Sequence, residues 1–384
     1  MSDPARPPKA IVYLTFATLP SPAAHSVQIV KMCQAMAKAG TGVKLVADAR
    51  QKPHQIFEFY DVRYPFEIIR IRLLPVRIVG RALFLARSFF LILNNRHGLF
   101  YIRDVFTAWF VRALKVDFIM EVHELPAGRF RNLLMRRILS ASRLRTVVFI
   151  SGELRKSLLR RMGDRLAGKT TVVAHDGADL NEFPSSLSRE ESRRRLYLPE
   201  GAFLAGYAGS LFEGRGLEVI LEVSRILKDV VFVIVGGEKG EADRLKRKVK
   251  EAGLTNVLVI GFVPHRVVPL YLAAFDALLM PYQEAVLHRQ KIHDTASYMS
   301  PLKAFEYMAA GKPIVASRLK VIGEILEDGR NAILVPPDSV TDWAGAIQML
   351  RDNKPLGRTI GEQARDDVRK YSWDERVKKI LCAE

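Results

Sequence analysis

The chain has 384 residues, 59 Lys+Arg against 41 Asp+Glu, a formal net charge of +18 and 49% hydrophobic residues. That length suits two domains of roughly 150–200 residues, and the composition excludes a disordered or fibrous chain. Its two cysteines, Cys33 and Cys382, supply neither a disulfide framework nor a zinc spacing, so a reducing compartment is expected.

In chain order, Met1 to Lys9 is short, polar and proline-rich, without the apolar stretch and cleavage site of a signal peptide. Ala10 to Leu14 is a continuous apolar run, as expected of a parallel strand covered on both faces. The first loop, Ser21 to Ser26, places His25 and Ser26 at a helix start. From Ser26 to Ala39 the residues Val27, Ile29, Val30, Met32, Cys33, Met36 and Ala37 fall near one helical face. Gly40 and Gly42 end that helix, and Val43 to Ala47 resumes the strand pattern. This βαβ opening predicts an open α/β sheet.

The run Ala82 to Leu93 is broken by Arg87 and falls short of the ~20 apolar residues a spanning helix needs, so no transmembrane helix is expected. Between Val62 and Arg165 there are 21 Lys+Arg against 7 Asp+Glu, interleaved with Phe84, Phe89, Phe90, Phe106, Trp109, Phe110 and Phe130. Arginines beside aromatic rings suit an anionic lipid surface. They would also suit nucleic acid. Strand-like runs follow at Phe118 to Val122, Thr146 to Ile150 and Thr171 to Ala174. His123 and Glu124 come just past the first of these, at the strand end where open α/β sheets bind ligands.

The polar stretch Asn181 to Arg195 has the composition of a linker. Beyond it the βα alternation restarts, with strands at Phe203 to Tyr207, Val230 to Val235, Val257 to Ile260, Ala277 to Met280 and Pro313 to Ser317. The segment GYAGSLFEGRGL (206–217) reads as a strand end, a glycine loop and a helix start. Small residues such as Gly209 let the backbone approach phosphate oxygens, and Arg215 can hold them bidentately. The segment SPLKAFEYMAAGKP (300–313) reads as a helix with both ends marked. Ser300 is the expected N-cap, Pro301 the first helical residue and Gly311 the left-handed C-cap. Such a start favours an anion, Lys303 adds a full positive charge, and Glu306 one turn later can accept from a ribose diol.

The string SPLKAFEYMAAGKPIVAS resembles the signature of family 4 of the retaining GT-B glycosyltransferases, which use nucleotide-sugar donors. The segment 206–217 is similar to that family's first strand, loop and helix of the C-terminal domain. Gly261 to Pro264 resembles its base-contacting loop, Val173 to Leu180 the strand entering its linker, and Tyr371 to Arg376 its returning C-terminal helix. The resemblance implies two doubly wound Rossmann-like domains facing a cleft, with an acceptor domain at 1–183, a donor domain at 184–368 and a crossing-back helix at 369–384. It implies donor contacts from Gly209, Ser210, Arg215, Val263, Ser300, Leu302, Lys303 and Glu306. Catalytic roles fall to His123, Arg215 and Lys303, and acceptor-side roles to His25, Ser26 and Glu124.

The implied function is metal-independent, retaining transfer of a sugar from a UDP- or GDP-linked donor to a lipid-linked or polysaccharide acceptor. The donor is a substrate; no further cofactor and no metal are expected, and no Asp-x-Asp marks a metal loop. With the basic band at 62–165, the expected place is the cytoplasm, peripheral on the inner face of a membrane. Many family members carry a second glutamate where this chain has Tyr298, so the loop Tyr282 to Met299 is expected to recognise the donor sugar. A nucleotide-sugar epimerase of the same fold is the alternative reading. A basic nucleic-acid-binding protein is a further one, and it leaves both 206–217 and 300–313 without a role.

Overall fold

The continuous apolar runs become strands of two fully parallel sheets, each with helices between successive strands. The fold is that of a computed structural model describing residues 8–74, 77–184, 186–284 and 296–383. The N-terminal signal-peptide reading and most of the loop expected to recognise the sugar lie outside those residues.

The first set of elements is β1 (Ala10–Leu19), α1 (Ala24–Lys38), β2 (Gly42–Ala49), α2 (Pro53–Phe59), β3 (Glu67–Arg70), α3 (Arg77–Asn94) and β4 (Leu99–Ile102). It continues with α4 (Val105–Ala113), β5 (Phe118–Val122), α5 (Gly128–Leu139), β6 (Leu144–Phe149), α6 (Gly152–Met162) and β7 (Thr170–Val173). The second set is α7 (Arg189–Leu196), β8 (Phe203–Ala208), α8 (Leu217–Ile226), β9 (Val230–Val235), α9 (Lys239–Glu251), β10 (Val257–Gly261) and α10 (Val268–Ala274). It ends with β11 (Ala277–Met280), α11 (Leu302–Ala310), β12 (Ile314–Ser317), β13 (Ile333–Val335), α12 (Val340–Asp352), α13 (Lys354–Asp367) and α14 (Trp373–Leu381).

The seven strands of the first sheet run β3-β2-β1-β4-β5-β6-β7, and the six of the second run β10-β9-β8-β11-β12-β13. Each order reverses once, at β1/β4 and at β8/β11, and such switch points open a crevice at the carboxyl ends of the strands. Both sheets are covered on both faces, which is why Ile11 to Leu14, Phe100 to Ile102 and Phe232 to Val235 are almost wholly buried. The chain divides into two units, Met1–Asp176 with Trp373–Glu384, and Gly177–Ser372. Helix α14 thus belongs with the first sheet, where it packs on α1.

Two local readings change. The polar stretch 181–195 is not wholly a linker: Ser188 caps the amide of Glu191 and starts α7. Arg193 of that helix is fully buried, donating to the carbonyls of Ala274, Glu200 and Ala202 and to Asp276. Helix α11 begins one residue later than expected, with Pro301 in the cap position at ψ 118°. Extended backbone at Pro301 makes its carbonyl, not that of Ser300, the first acceptor, taking the Ala304 amide at 2.9 Å. Gly311 closes the helix in the left-handed conformation at φ 67° as expected.

Candidate active site

At the β8/β11 switch point, Tyr307 of α11 fixes the helix to both strands. Its buried hydroxyl accepts from the Ala208 amide at 2.8 Å and lies 3.3 Å and 3.4 Å from the carbonyls of Ala208 and Leu279. That anchor sets the first turn of α11 beside the ends of β8 and β11. No side chain caps this helix start, so its leading amides remain available to a ligand.

Lys303 in that first turn is only 9% exposed, and its Nζ stands 3.6 Å from the centre of the Tyr207 ring and 5.2 Å from that of Tyr282. Arg215 lies 4.7 Å from the centre of the same Tyr282 ring, so two cations share one aromatic floor. Among the described residues the Lys303 ammonium has no hydrogen-bond partner and neither cation has a carboxylate in ion-pair reach. Burial, then the Arg215 charge, holds the Lys303 amine well below its ordinary pKa, against a weaker pull from Glu306. An anion placed between the two side chains would relieve both the desolvation and the repulsion.

Glycines make the approach possible. A Cβ at Gly209 would sit 2.6 Å from Lys303 Nζ, and one at Gly216 would sit 1.7 Å from the Pro281 carbonyl oxygen. Gly216 also holds φ 75°, which L side chains avoid. The carbonyl of Ser210 accepts from the Tyr207 hydroxyl at 2.6 Å, tying the loop to the ring beneath Lys303. Glu306, one turn beyond Lys303, meets His265 Nε2 at 2.9 Å. His265 opens a short 3-10 turn after Pro264, while Val263 just before it is half-buried. Ser300 is buried and Leu302 half-buried ahead of and within the first turn.

In the N-terminal unit the structure places His123 in a buried polar network. Its Nε2 bonds Glu121 of β5, and its Nδ1 is 3.3 Å from Arg103. Glu121 is wholly buried and also accepts from Tyr101, from Gln28 at 2.7 Å and from Arg376 of α14 at 3.3 Å. Burial alone would raise the Glu121 carboxyl, but chiefly Arg376 holds it well below the usual range. Burial, then Arg103, lowers His123 to about 4, so the ring is neutral at physiological pH. Donation from Nε2–H to Glu121 then leaves Nδ1 to accept from Arg103, and both nitrogens are engaged within the protein. His25 is exposed, with its carbonyl accepting from Arg103 at 3.2 Å. Ser26 is fully buried and donates to the Thr18 carbonyl, so its hydroxyl serves the fold. Glu124 pairs with Arg131 at 3.0 Å.

The residues proposed from sequence for the donor therefore converge on one end of the second sheet, whereas those for the acceptor side divide between a buried network and the surface. Sequence reading missed Tyr207 and Tyr282 as the aromatic floor, His265 beside Glu306, and Glu121 with Arg376. Only the alternation within EVH carried a hint of Glu121, a carboxylate in an otherwise apolar strand.

Residues 202–353 match the family model described as glycosyl transferases group 1. The match lies wholly within the C-terminal unit. A curated relative named D-inositol 3-phosphate glycosyltransferase, from Corynebacterium aurimucosum, is 27% identical over 217 residues, covering 53% of this chain and 48% of the relative. The chain thus matches about half the length of such relatives. Over 96% of both chains the structure is similar to sucrose-phosphate synthase of Thermosynechococcus elongatus, with TM-score 0.74 and 19% identity. It is also similar to Anabaena HepE in complex with UDP-glucose, with TM-score 0.72 and 15% identity over 96% of this chain and 98% of that one. WaaG, described as a glycosyltransferase of lipopolysaccharide biosynthesis, gives TM-score 0.68 at 13% identity over 97% and 99% of the two chains. These likenesses show that the chain has the GT-B fold.

A buried ammonium without a carboxylate partner among the described residues makes the C-terminal unit less stable than it could be. Lys303→Met is expected to raise the melting temperature by roughly 2–4 °C, from about 1 kcal/mol of recovered desolvation. The same variant should lose the stabilisation that pyrophosphate gives the wild type in a thermal-shift assay. A lower melting temperature with the pyrophosphate response intact would mean that Lys303 is a satisfied structural cation.

Proposed function

We propose that the protein is a retaining, metal-independent glycosyltransferase that moves a sugar from a UDP- or GDP-linked donor to a lipid-linked or polysaccharide acceptor at a membrane surface. The observation that carries this reading is a pair of cations at the β8/β11 switch point, the buried Lys303 and the half-buried Arg215, with no carboxylate partner among the described residues. The diphosphate of the donor lies against these two side chains and the open start of α11, with Gly209 and Ser210 lining the loop. Glu306 takes the ribose hydroxyls, and the backbone around Val263 meets the base. HepE, a structural neighbour, has been captured with UDP-glucose, which agrees with a nucleotide-sugar donor.

In the reaction the acceptor hydroxyl attacks the anomeric carbon on the face from which the diphosphate departs. The bond from that carbon to the diphosphate oxygen breaks, the new glycosidic bond forms, and the acceptor proton passes to the departing oxygen. Arg215 and Lys303 neutralise the charge that develops there, with Lys303 itself largely shielded from water. Their fixed positive charges take the place a divalent cation would fill. His123, neutral and held on both nitrogens, lines the acceptor side without exchanging a proton, beside His25 and Glu124.

Support for the membrane clause comes from the surface of the N-terminal unit. Helix α3 turns Phe84, Ser88 and Ile92 inward and leaves Leu83, Phe90 and Leu93 exposed around Arg87. On α5, Phe130 and Leu133 are exposed beside Arg129, Arg136 and Arg137. Apolar side chains among arginines fit the boundary of an anionic bilayer. Among the described residues no helix is long and apolar enough to cross a membrane.

In EDTA, one of UDP and GDP should stabilise the protein by about 2.7 kcal/mol at a hundred times its dissociation constant. Arg215→Ala or Glu306→Ala should remove that response, and a flat response to every nucleoside diphosphate would reject the donor site. In a flotation assay the wild type should rise with phosphatidylglycerol vesicles and not with phosphatidylcholine alone. The double variant Phe90→Asp, Phe130→Asp should stay behind; equal flotation of both proteins would remove the membrane clause.

A further inference from the structure

We propose that His265 is a positioning residue for the donor, holding the Glu306 carboxylate in the orientation that receives the ribose; this rests on the donor reading above. Among the described residues His265 is the one partner of that carboxylate, through Nε2 and Oε1 at 2.9 Å. The second oxygen, Oε2, has no partner among the described residues. Side-chain exposures of 18% for Glu306 and 38% for His265 keep the pair within reach of a ligand.

A glutamate has several rotatable bonds between backbone and carboxylate, and ordering them on binding costs affinity. A hydrogen bond to one oxygen removes most of that freedom and fixes the plane in which the other oxygen accepts. The imidazole is itself constrained. Pro264 precedes it at the start of the 3-10 turn His265–Val267, and the Glu182 carboxylate stands 3.8 Å from Nδ1 on the opposite side of the ring. Glu182 closes a separate 3-10 turn, Leu180–Glu182, which Asp179 caps through the Asn181 amide at 3.1 Å. Carboxylate, imidazole and carboxylate thus form a line whose outer member is the ribose acceptor. Two carboxylates on either side of one ring also keep the ring from rotating away, because a flip would trade a hydrogen bond for a carbon edge.

The test compares UDP with 2′,3′-dideoxy-UDP by titration calorimetry on the full chain. His265→Ala should weaken UDP about tenfold, as loss of an orienting hydrogen bond typically does, and leave the dideoxy nucleotide within about twofold of wild type. His265→Gln, whose amide can still donate to Oε1, should recover UDP affinity to within about threefold. In turnover, the donor KM should rise with kcat little changed, which a merely structural histidine would not produce. Equal weakening of both nucleotides, or no change in either, would overturn the proposal. Failure of the wild type to bind UDP, or of Glu306→Ala to weaken it, would instead overturn the donor reading beneath it.

Discussion

A lysine ammonium buried against two tyrosine rings, with no anion to meet it among the described residues, is the constraint around which the C-terminal unit is arranged. Water cannot reach Lys303 freely, and Arg215 stands across the same Tyr282 ring. Such an arrangement is costly in an empty protein and favourable once a polyanion enters. The surrounding fold makes sense as its support. Tyr307 locks α11 to the ends of β8 and β11, Gly209 clears space for the lysine, and Gly216 lets α8 start against the Pro281 carbonyl. Stability has been surrendered at one point, and the same point is where the charge of a leaving diphosphate develops in the proposed reaction.

The N-terminal unit handles buried charge the opposite way. Glu121 is even less accessible than Lys303, yet Tyr101, Gln28, His123 and Arg376 all bond to it. Arg376 adds bonds to the His175 carbonyl and lies 3.8 Å from Asp176, so the returning helix is held by a buried guanidinium rather than by apolar packing alone. Removing either partner of such a pair is far more damaging than the pair is stabilising. The network also settles the state of His123, since a ring engaged at both nitrogens and lowered to about 4 remains neutral. One unit therefore pairs its buried charge within the protein, while the other leaves Lys303 and Arg215 without a carboxylate partner among the described residues.

The fold was largely legible because parallel strands covered on both faces must be apolar throughout, as Ala10 to Leu14 and Val230 to Val235 are. The proposed donor site was readable to the extent that its chemistry is local: glycines in 206–217 and a cation and carboxylate one turn apart in 300–313. The rest depends on contacts distant in sequence. Nothing near Lys303 in the chain announces Tyr207 or Tyr282, and nothing near Glu306 announces His265, 41 positions away. Composition misled at 181–195, where a charged stretch reads as linker but Arg193 turns inward to four acceptors. Local rules misled at Ser300, because cap preference does not register the extended backbone that Pro301 adopts. Ser26 shows a related ambiguity: a small polar side chain at a helix start can equally satisfy a buried carbonyl, here that of Thr18.

The most direct measurement is a crystal structure of the protein with UDP bound in the absence of divalent metal. The account predicts diphosphate oxygens within hydrogen-bond distance, about 2.7–3.2 Å, of both Lys303 Nζ and the Arg215 guanidinium. It also predicts that the ribose hydroxyls face Glu306. A diphosphate bound elsewhere, with Lys303 still resting alone on the Tyr207 ring, would contradict it.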